Sequence, residues 1–314
     1  MGLPSEFELI RKYFDRPARS AVLGVGDDAA LLQPRAGMQL AASTDLLVEG
    51  RHFRAGADAR KLGHKSLAVN LSDMAAMGAV PRWALLALAL PSADERWIAG
   101  FAKGFLALAR RFGVELVGGD TTRGPRSVCV TILGEIPKGK ALRRDGARPG
   151  DEIWVSGELG GAANALARSS NSLARPRDAV AAKRLHLPEP RVALGLRLRG
   201  IATSAIDVSD GFAQDLGHIL ERSGVGAVVH YDLLPKCRIE DRKLERRCVL
   251  SGGDDYELIF TAHAGSGERV KTIARALNLR LTRVGSIGRR RDLRILDANG
   301  RQMKVERGFD HFSR

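Results

Sequence analysis

Carboxylates recur through this sequence in short polar or glycine-rich segments. Asp27-Asp28 stands in GVGDDAA, Asp45 in ASTDLL, Asp73 in NLSDMAAMGA and Asp120 in VGGDTTRG. The second half adds Asp207 and Asp210 in AIDVSDG and Asp254-Asp255 in SGGDDYE. Most are expected in turns at strand ends, and Asp73 on a helix. Mg2+ prefers carboxylate, carbonyl and water oxygens in an octahedron, which it usually shares with substrate phosphates. Aspartates from several turns, together with triphosphate oxygens, would make such a centre. Asp73 is the most informative member, because its helix is otherwise mostly apolar at Leu67, Val69, Leu71 and Met74. Ser66, Asn70 and Asp73, four and three residues apart, form one polar column on it. A carboxylate so placed needs a partner, and a metal is a good one. Structural readings compete: a capping or ion-pair role for Asp73, an N-cap by Asp210 on a helix starting near Gly211, and a plain turn at Asp27-Asp28. The set is more specific than any one turn, and Asp207 is left unexplained if Asp210 only caps.

Two phosphate-binding motifs are approached and not reached. Gly134 to Ala141 (GEIPKGKA) nearly spells a P-loop, but Ala141 offers no hydroxyl to Mg2+ and no convincing helix follows. Gly24 to Ala29 (GVGDDA) matches a dinucleotide fingerprint in its G-x-G-x-x-A form. Two aspartates there would repel a bare pyrophosphate, so its chemistry points to a metal instead.

The elements that must position these residues alternate between helix and strand, which argues an α/β class in both halves. Capping boxes at Ser5–Glu8 and Ser92–Glu95 predict helices running to about Asp15 and to Gly113. A helix is expected over Asp58–Met77, with strands at Gln39–Ser43, Trp83–Leu90, Glu115–Val117 and Ser127–Ile136. Arg143–Gly150 (RRDGARPG) reads as the domain boundary. Beyond it, strands are expected at Glu152–Ser156, near Ala205, and at Ala227–Tyr231, Glu257–Thr261 and Leu281–Val284. Helices are expected after the Gly157–Gly161 turn, near Pro190–Arg199, and at Phe212–Arg222 and Gly267–Leu277. Ser169–Asp178 reads as a loop.

At 314 residues and 44% apolar, the chain can bury the cores of two domains. No stretch nears the roughly 18 to 20 apolar residues of a membrane span, and the N-terminus lacks a secretion-signal layout, so a cytoplasmic location is expected. Cys129, Cys237 and Cys248 are too few and too dispersed for a disulfide framework or zinc site. The net charge of +14 favours anionic partners, but its basic residues are scattered, without interleaved aromatics or any known nucleic-acid motif. A small phosphorylated substrate fits as well, and nucleic acid and membrane are not expected as partners.

GVGDDAAL, STDLLVEGRHF, KSLAVNLSDMAAMGA, GGDTTRGP, AIDVSDGF, LSGGDDYEL and the terminal GFDHF occur in the order of the thiamine-monophosphate kinase family, which the chain resembles from Phe7 to Phe312. The resemblance implies the fold of the aminoimidazole-ribonucleotide synthetase superfamily. Residues 1–142 would form an N-terminal α/β domain that binds ATP and magnesium and dimerises through its sheet. Residues 143–314 would form a C-terminal α/β sandwich completing the active-site cleft. By motif, Asp28, Ser43, Thr44, Asp45, Asp73, Asp120, Asp207 and Asp210 resemble ligands of several Mg2+ ions. Gly119, Asp120, Arg144 and Ser209 resemble nucleotide contacts, and His52, Asp254 and Phe309 contacts to the thiamine portion. The family usually has glutamate where Asp254 stands, so the carboxylate is kept and shortened by one methylene.

The implied reaction is ATP plus thiamine monophosphate giving thiamine diphosphate plus ADP. The acceptor is a phosphate monoester with a second pKa of about 6, mostly dianionic at pH 7, so no general base is required. The difficulty is repulsion between polyanions, which several Mg2+ ions could screen while aligning an in-line attack. Other readings are a superfamily enzyme that uses ATP to activate an amide, and a basic nucleic-acid-binding protein suggested only by charge.

Overall fold

A computed structural model describes residues 5–168 and 176–306, the side chains of 176–179 excepted. The chain divides into two compact units, Met1–Met74 with Ala79–Gly139, and Ala75–Gly78 with Lys140–Arg314.

In the first unit α1 (Glu6–Tyr13) starts at the expected capping box: Glu8 N–H donates to Ser5 Oγ, and Ser5 N–H donates to the Glu8 carboxylate. β1 (Met38–Val48), α2 (Ala59–Ala76), β2 (Val80–Leu90), α3 (Glu95–Phe112), β3 (Glu115–Arg123) and β4 (Ser127–Pro137) follow. The sheet order is β1-β4-β2-β3, with β4 antiparallel to both neighbours and β2 parallel to β3. α2 and α3 cross closely because Gly63 and Gly104 lack side chains: a Cβ there would lie 2.1 Å from the Phe101 carbonyl oxygen and 1.9 Å from that of Arg60. The N-cap of α3 is Asp94, not Ser92; its carboxylate accepts from Arg96 and Trp97 N–H. An ionised acceptor next to the first helical residue outcompetes a hydroxyl two residues upstream. Gly113 ends the helix at φ 67°.

Both near-motifs resolve as ordinary structure. β4 continues to Pro137, and the next helical residues are only the three-residue 3-10 turn Arg144–Gly146. Gly134 is explained by packing, since a Cβ would stand 2.8 Å from Met74 Sδ. Leu23 and Leu31 pair in antiparallel fashion, so GVGDDAA forms a closed loop with no helix behind it.

The second unit contains β5 (Glu152–Ser156), α4 (Gly161–Arg168), α5 (Pro176–His186), α6 (Val192–Leu198), β6 (Ala202–Asp207), α7 (Phe212–Ser223), β7 (Gly226–His230), α8 (Arg242–Ser251), β8 (Leu258–Ala262), α9 (Gly267–Leu277), β9 (Leu281–Gly288) and β10 (Leu293–Leu296). The sheet order is β10-β7-β9-β5-β8-β6, parallel only between β10 and β7. One core joins Ile153, Val155, Ile206 and Ile259 of the strands to Phe212, Leu216 and Ile219 of α7. Trp154 and Phe260 alternate away from Ile153, Val155 and Ile259 and stack on each other.

The sequence expectations missed α8, hidden behind its RKLERR charge run and capped by Asp241, whose carboxylate accepts the N–H groups of Lys243 and Leu244, and the four-residue β10. Within the expected loop Ser169–Asp178, residues from Pro176 on already belong to α5, while 169–175 lie outside the described residues. Among the described residues, no helix is long and apolar enough to cross a membrane. The three cysteines are unpaired, and burial pushes the thiols of Cys237 and Cys248 up to about 12 and about 11.

Candidate active site

In the first unit, two of the expected turn aspartates lie inside strands. Asp45 is in β1, opposite Val130, and Asp120 is in β3, opposite Ala87. Alternation puts Ser43, Asp45 and the buried Leu47 on one face of β1, and the exposed Thr44 and Leu46 on the other. On the first face α2 presents Asp73, and Ser43 Oγ donates to Asp73 Oδ2 at 2.5 Å. Burial, reinforced by the negative charge of Asp73, pushes the Asp45 carboxyl up to about 7. Two carboxylates therefore share a partly desolvated space, an arrangement that costs free energy unless a cation offsets it. Asn70, one turn before Asp73, is buried; its Nδ2 donates to the Ser66 carbonyl and its Oδ1 has no partner.

The remaining expected ligands of this unit are not gathered there. Thr44 points to the opposite face, where its hydroxyl lies 2.8 Å from that of Thr131. The register Asp45–Val130–Leu86–Gly119 runs straight across all four strands, which separates Asp45 from the Gly119 position by about 14 Å, three strand spacings. Asp120, next along β3, turns to the Thr44 face and is exposed. Asp28 is exposed in its loop, its N–H donating to Asp27 Oδ1. The Val48 N–H donates to His52 Nδ1, so the neutral ring carries its proton on Nε2.

In the second unit the two motif loops are braided. β6 ends at Asp207, and its pairing with β8 is prolonged by Val208 N–H to the Glu257 carbonyl (2.8 Å), Tyr256 N–H to the Val208 carbonyl (2.9 Å) and Asp254 N–H to the Ser209 carbonyl (2.9 Å). The proposed nucleotide residue Ser209 and the proposed substrate residue Asp254 are thus adjacent. Asp254 (φ 68°) and Tyr256 (φ 49°) both adopt left-handed backbone, a strain that persists only where surroundings impose it. Tyr256 Oη donates to Asp254 Oδ1 at 2.9 Å and holds the shortened carboxylate. Gly253 permits the contact, since a Cβ there would lie 2.1 Å from the Ser209 carbonyl oxygen.

Asp210 is not the N-cap of α7. That position is Gly211 at φ 120°, and Asp215 reaches back from within the helix to accept the N–H groups of Ser209, Asp210 and Gly211, each at 3.1 Å. Burial, then the charges of Asp207 and Asp210, push the Asp215 carboxyl up to about 8. Asp255 is structural: it accepts Gly160 N–H at 2.6 Å at the start of α4. Glu257 accepts from Ser156 and, in a two-pronged pair, from Arg191 at 2.7 and 2.5 Å. Sequence reasoning missed Asp215, Tyr256 and Arg191; an acid in the first turn of α7 was the available signal for Asp215. Arg144 lines a cavity of about 520 Å³ with His218, Glu221 and Arg222. Phe309 lies outside the described residues.

Among the described residues, no group of three or more His, Cys, Asp or Glu side chains is arranged to hold a metal ion. The donor chemistry nevertheless fits Mg2+, which typically takes one or two carboxylates and completes its shell with water and phosphate oxygens. Like-charge crowding at Asp45/Asp73 and at Asp207/Asp210/Asp215 is what a cation would relieve.

Comparison with known proteins agrees across the chain. Residues 26–136 match the AIR synthase related protein N-terminal domain, and 148–297 the corresponding C-terminal domain. The thiamine-monophosphate kinase of Salmonella typhimurium is 44% identical, with 98% of each chain covered. The crystal structure of the thiamine-monophosphate kinase from Stenotrophomonas maltophilia K279a superposes with a TM-score of 0.85 at 46% identity, covering 94% of this chain and 95% of that one. AaThiL complexed with AMPPCP and TMP superposes with a TM-score of 0.78 at 27% identity, covering 98% and 96%. The chain belongs to the thiamine-monophosphate kinase family.

Proposed function

We propose that this protein transfers the terminal phosphoryl group of ATP to thiamine monophosphate, giving thiamine diphosphate and ADP. The observation that carries the reading is whole-length similarity to kinases of that name, including a relative solved with AMPPCP and TMP together. The braided loops of the second unit support it, because they set a nucleotide motif directly against a substrate motif.

Asp45 and Asp73, with Ser43, would hold Mg2+ in the first unit, and Asp207 and Asp210 in the second; Asp28, Thr44 and Asp120 join the set on motif alone. Bound Mg2+ would supply charge neutralisation between donor and acceptor phosphates and orientation for in-line displacement. The chain's own residues bind and orient. Arg144 and Arg222 line a cavity whose cationic walls suit a nucleotide. Ser209 and Gly119 would contact ATP. Asp254, held by Tyr256, would contact the thiamine portion, with His52 and Phe309 completing those contacts. The acceptor phosphate is already dianionic, so the side chains need not remove a proton.

The second part of the reading is a cytoplasmic homodimer. Leu40 and Leu46 are exposed on the open face of the first unit's sheet, as a sheet that packs against a second copy would require. Light scattering of the parent and of Leu46→Asp tests the dimer: the parent should have twice the monomer mass and the variant less, and a monomeric parent refutes it. For the activity, purified protein incubated with ATP, Mg2+ and thiamine monophosphate should form thiamine diphosphate, and absence of product refutes the assignment.

A further inference from the structure

We infer that Asp215 is a positioning residue, whose buried carboxylate fixes the Asp207–Gly211 loop in its cation- and nucleotide-binding shape; this rests on the reading of that loop given above. Asp215 lies in the first turn of α7, is 2% exposed, and shares that helix with the core residues Phe212, Leu216 and Ile219. Its Cα is thereby anchored to the helix rather than to the loop. A single oxygen, Oδ2, accepts three successive backbone N–H groups, those of Ser209, Asp210 and Gly211. Three converging amides define the course of the chain through the segment that carries Asp210. The opposite side of the same segment is gripped by the 252–257 loop through Val208 and Ser209. Ser209 and Asp210 remain half-exposed while their backbone is tethered on both sides.

Helix capping alone does not account for this residue. A Ser, Thr or Asn at the N-cap would satisfy the amides of a helix start without burying a carboxylate. Here the N-cap is Gly211 at φ 120°, a backbone conformation that L side chains rarely adopt, and a Cβ there would also lie 2.8 Å from the Ser251 carbonyl carbon. The acceptor therefore comes from inside the helix. Placing it there buries a third acid beside Asp207 and Asp210. Burial together with their charges pushes its carboxyl well above the usual range, a cost that is unfavourable unless the loop geometry it secures is needed.

The test compares Asp215→Ala, Asp215→Asn and Asp210→Asn by calorimetric titration of Mn2+ with ATP into the full-length protein, with thermal melting to verify folding. Because one oxygen makes all three contacts, asparagine can keep them and alanine cannot. Asp215→Ala should weaken Mn2+·ATP binding more than about tenfold, and Asp215→Asn should restore it to within about threefold of the parent. Asp210→Asn serves as the control for the underlying reading and should weaken binding by itself. If Asp210→Asn weakens binding and Asp215→Ala does not, the positioning role is wrong and the loop assignment stands. If neither changes binding, the loop assignment fails and takes the inference with it. If Asp215→Asn is as impaired as Asp215→Ala, charge rather than tethering is responsible and the inference is overturned. Should the alanine variant not fold, hydrogen exchange decides on the parent and Asp215→Asn: the amides of Ser209, Asp210 and Gly211 should be protected in both, and rapid exchange in either contradicts the tether.

Discussion

Asp45 and Asp73 of the first unit are carried by a strand and a helix, whereas Asp210 and Asp254 of the second are carried by two loops. In the first case position is set by the β1–β4 ladder and by the burial of α2, whose Leu67, Ala68 and Leu71 are fully enclosed. In the second it is set by side chains that never touch a ligand in the proposed scheme: Asp215, Tyr256, and the Ser156–Glu257–Arg191 chain. The contrast teaches that the two regions should fail differently. The first should lose chemistry and keep its fold when an acid is changed. The second should be vulnerable at residues outside the proposed ligand set that hold its loops in place.

The largest effect is expected at Arg191. Arg191→Met leaves the buried Glu257 without its charged partner, and breaking such a pair costs about 3–5 kcal/mol. Urea unfolding should show that loss, while the exposed Lys271→Met should be nearly neutral. Similar midpoints for the two variants would break the comparison, because the second region would then not be held by its tethers.

Asp73→Asn should lower kcat by more than about 10²-fold, in line with electrostatic terms at such sites, while melting no earlier than the parent. Near-normal turnover at saturating Mg2+ would remove Asp73 from the metal set. Gly253→Ala should cost about 1–3 kcal/mol by overpacking against the Ser209 carbonyl and should reduce turnover together with stability. Lost turnover with unchanged stability would show that the braid bears on chemistry alone.

The smallest effect is a pH slope. The folded Asp45 carboxyl titrates at about 7, above its ordinary value near 4. Its contribution to stability is present below about pH 4 and is lost as pH rises through 7. Asp215, at about 8, extends the same trend upward. Without divalent cations the protein should therefore become less stable between about pH 4 and 8, and Asp45→Asn should make the slope shallower. Calorimetric melts across that range check it, and stability rising with pH would contradict the crowding of these acids.

Much of this architecture is legible in the sequence, for reasons tied to particular residues. β5 and α9 have the boundaries their patterns predict, since an apolar run and an amphipathic helix announce themselves locally. β1 and β3 run further than expected because their ends alternate polar residues, Asp45 and Asp120 among them, which resemble turns when read without a partner strand. The mainly antiparallel pairing of the second sheet was equally out of reach, because helix–strand alternation leaves strand direction open. At the site, motifs marked the acids. They did not reveal that Thr44 faces away from Ser43, or that Asp215 grips the loop of Asp210, since both depend on three-dimensional register.

The most direct test of the central assignment offers the purified protein ATP and Mg2+ with either thiamine monophosphate or free thiamine, and follows both products and ADP. The monophosphate should be converted to thiamine diphosphate with one ADP formed per turnover. Free thiamine should remain unchanged, because its neutral alcohol needs a general base and lacks the phosphate through which the acceptor would be positioned. Conversion of free thiamine at a rate similar to the monophosphate, or no conversion of the monophosphate, would contradict the account.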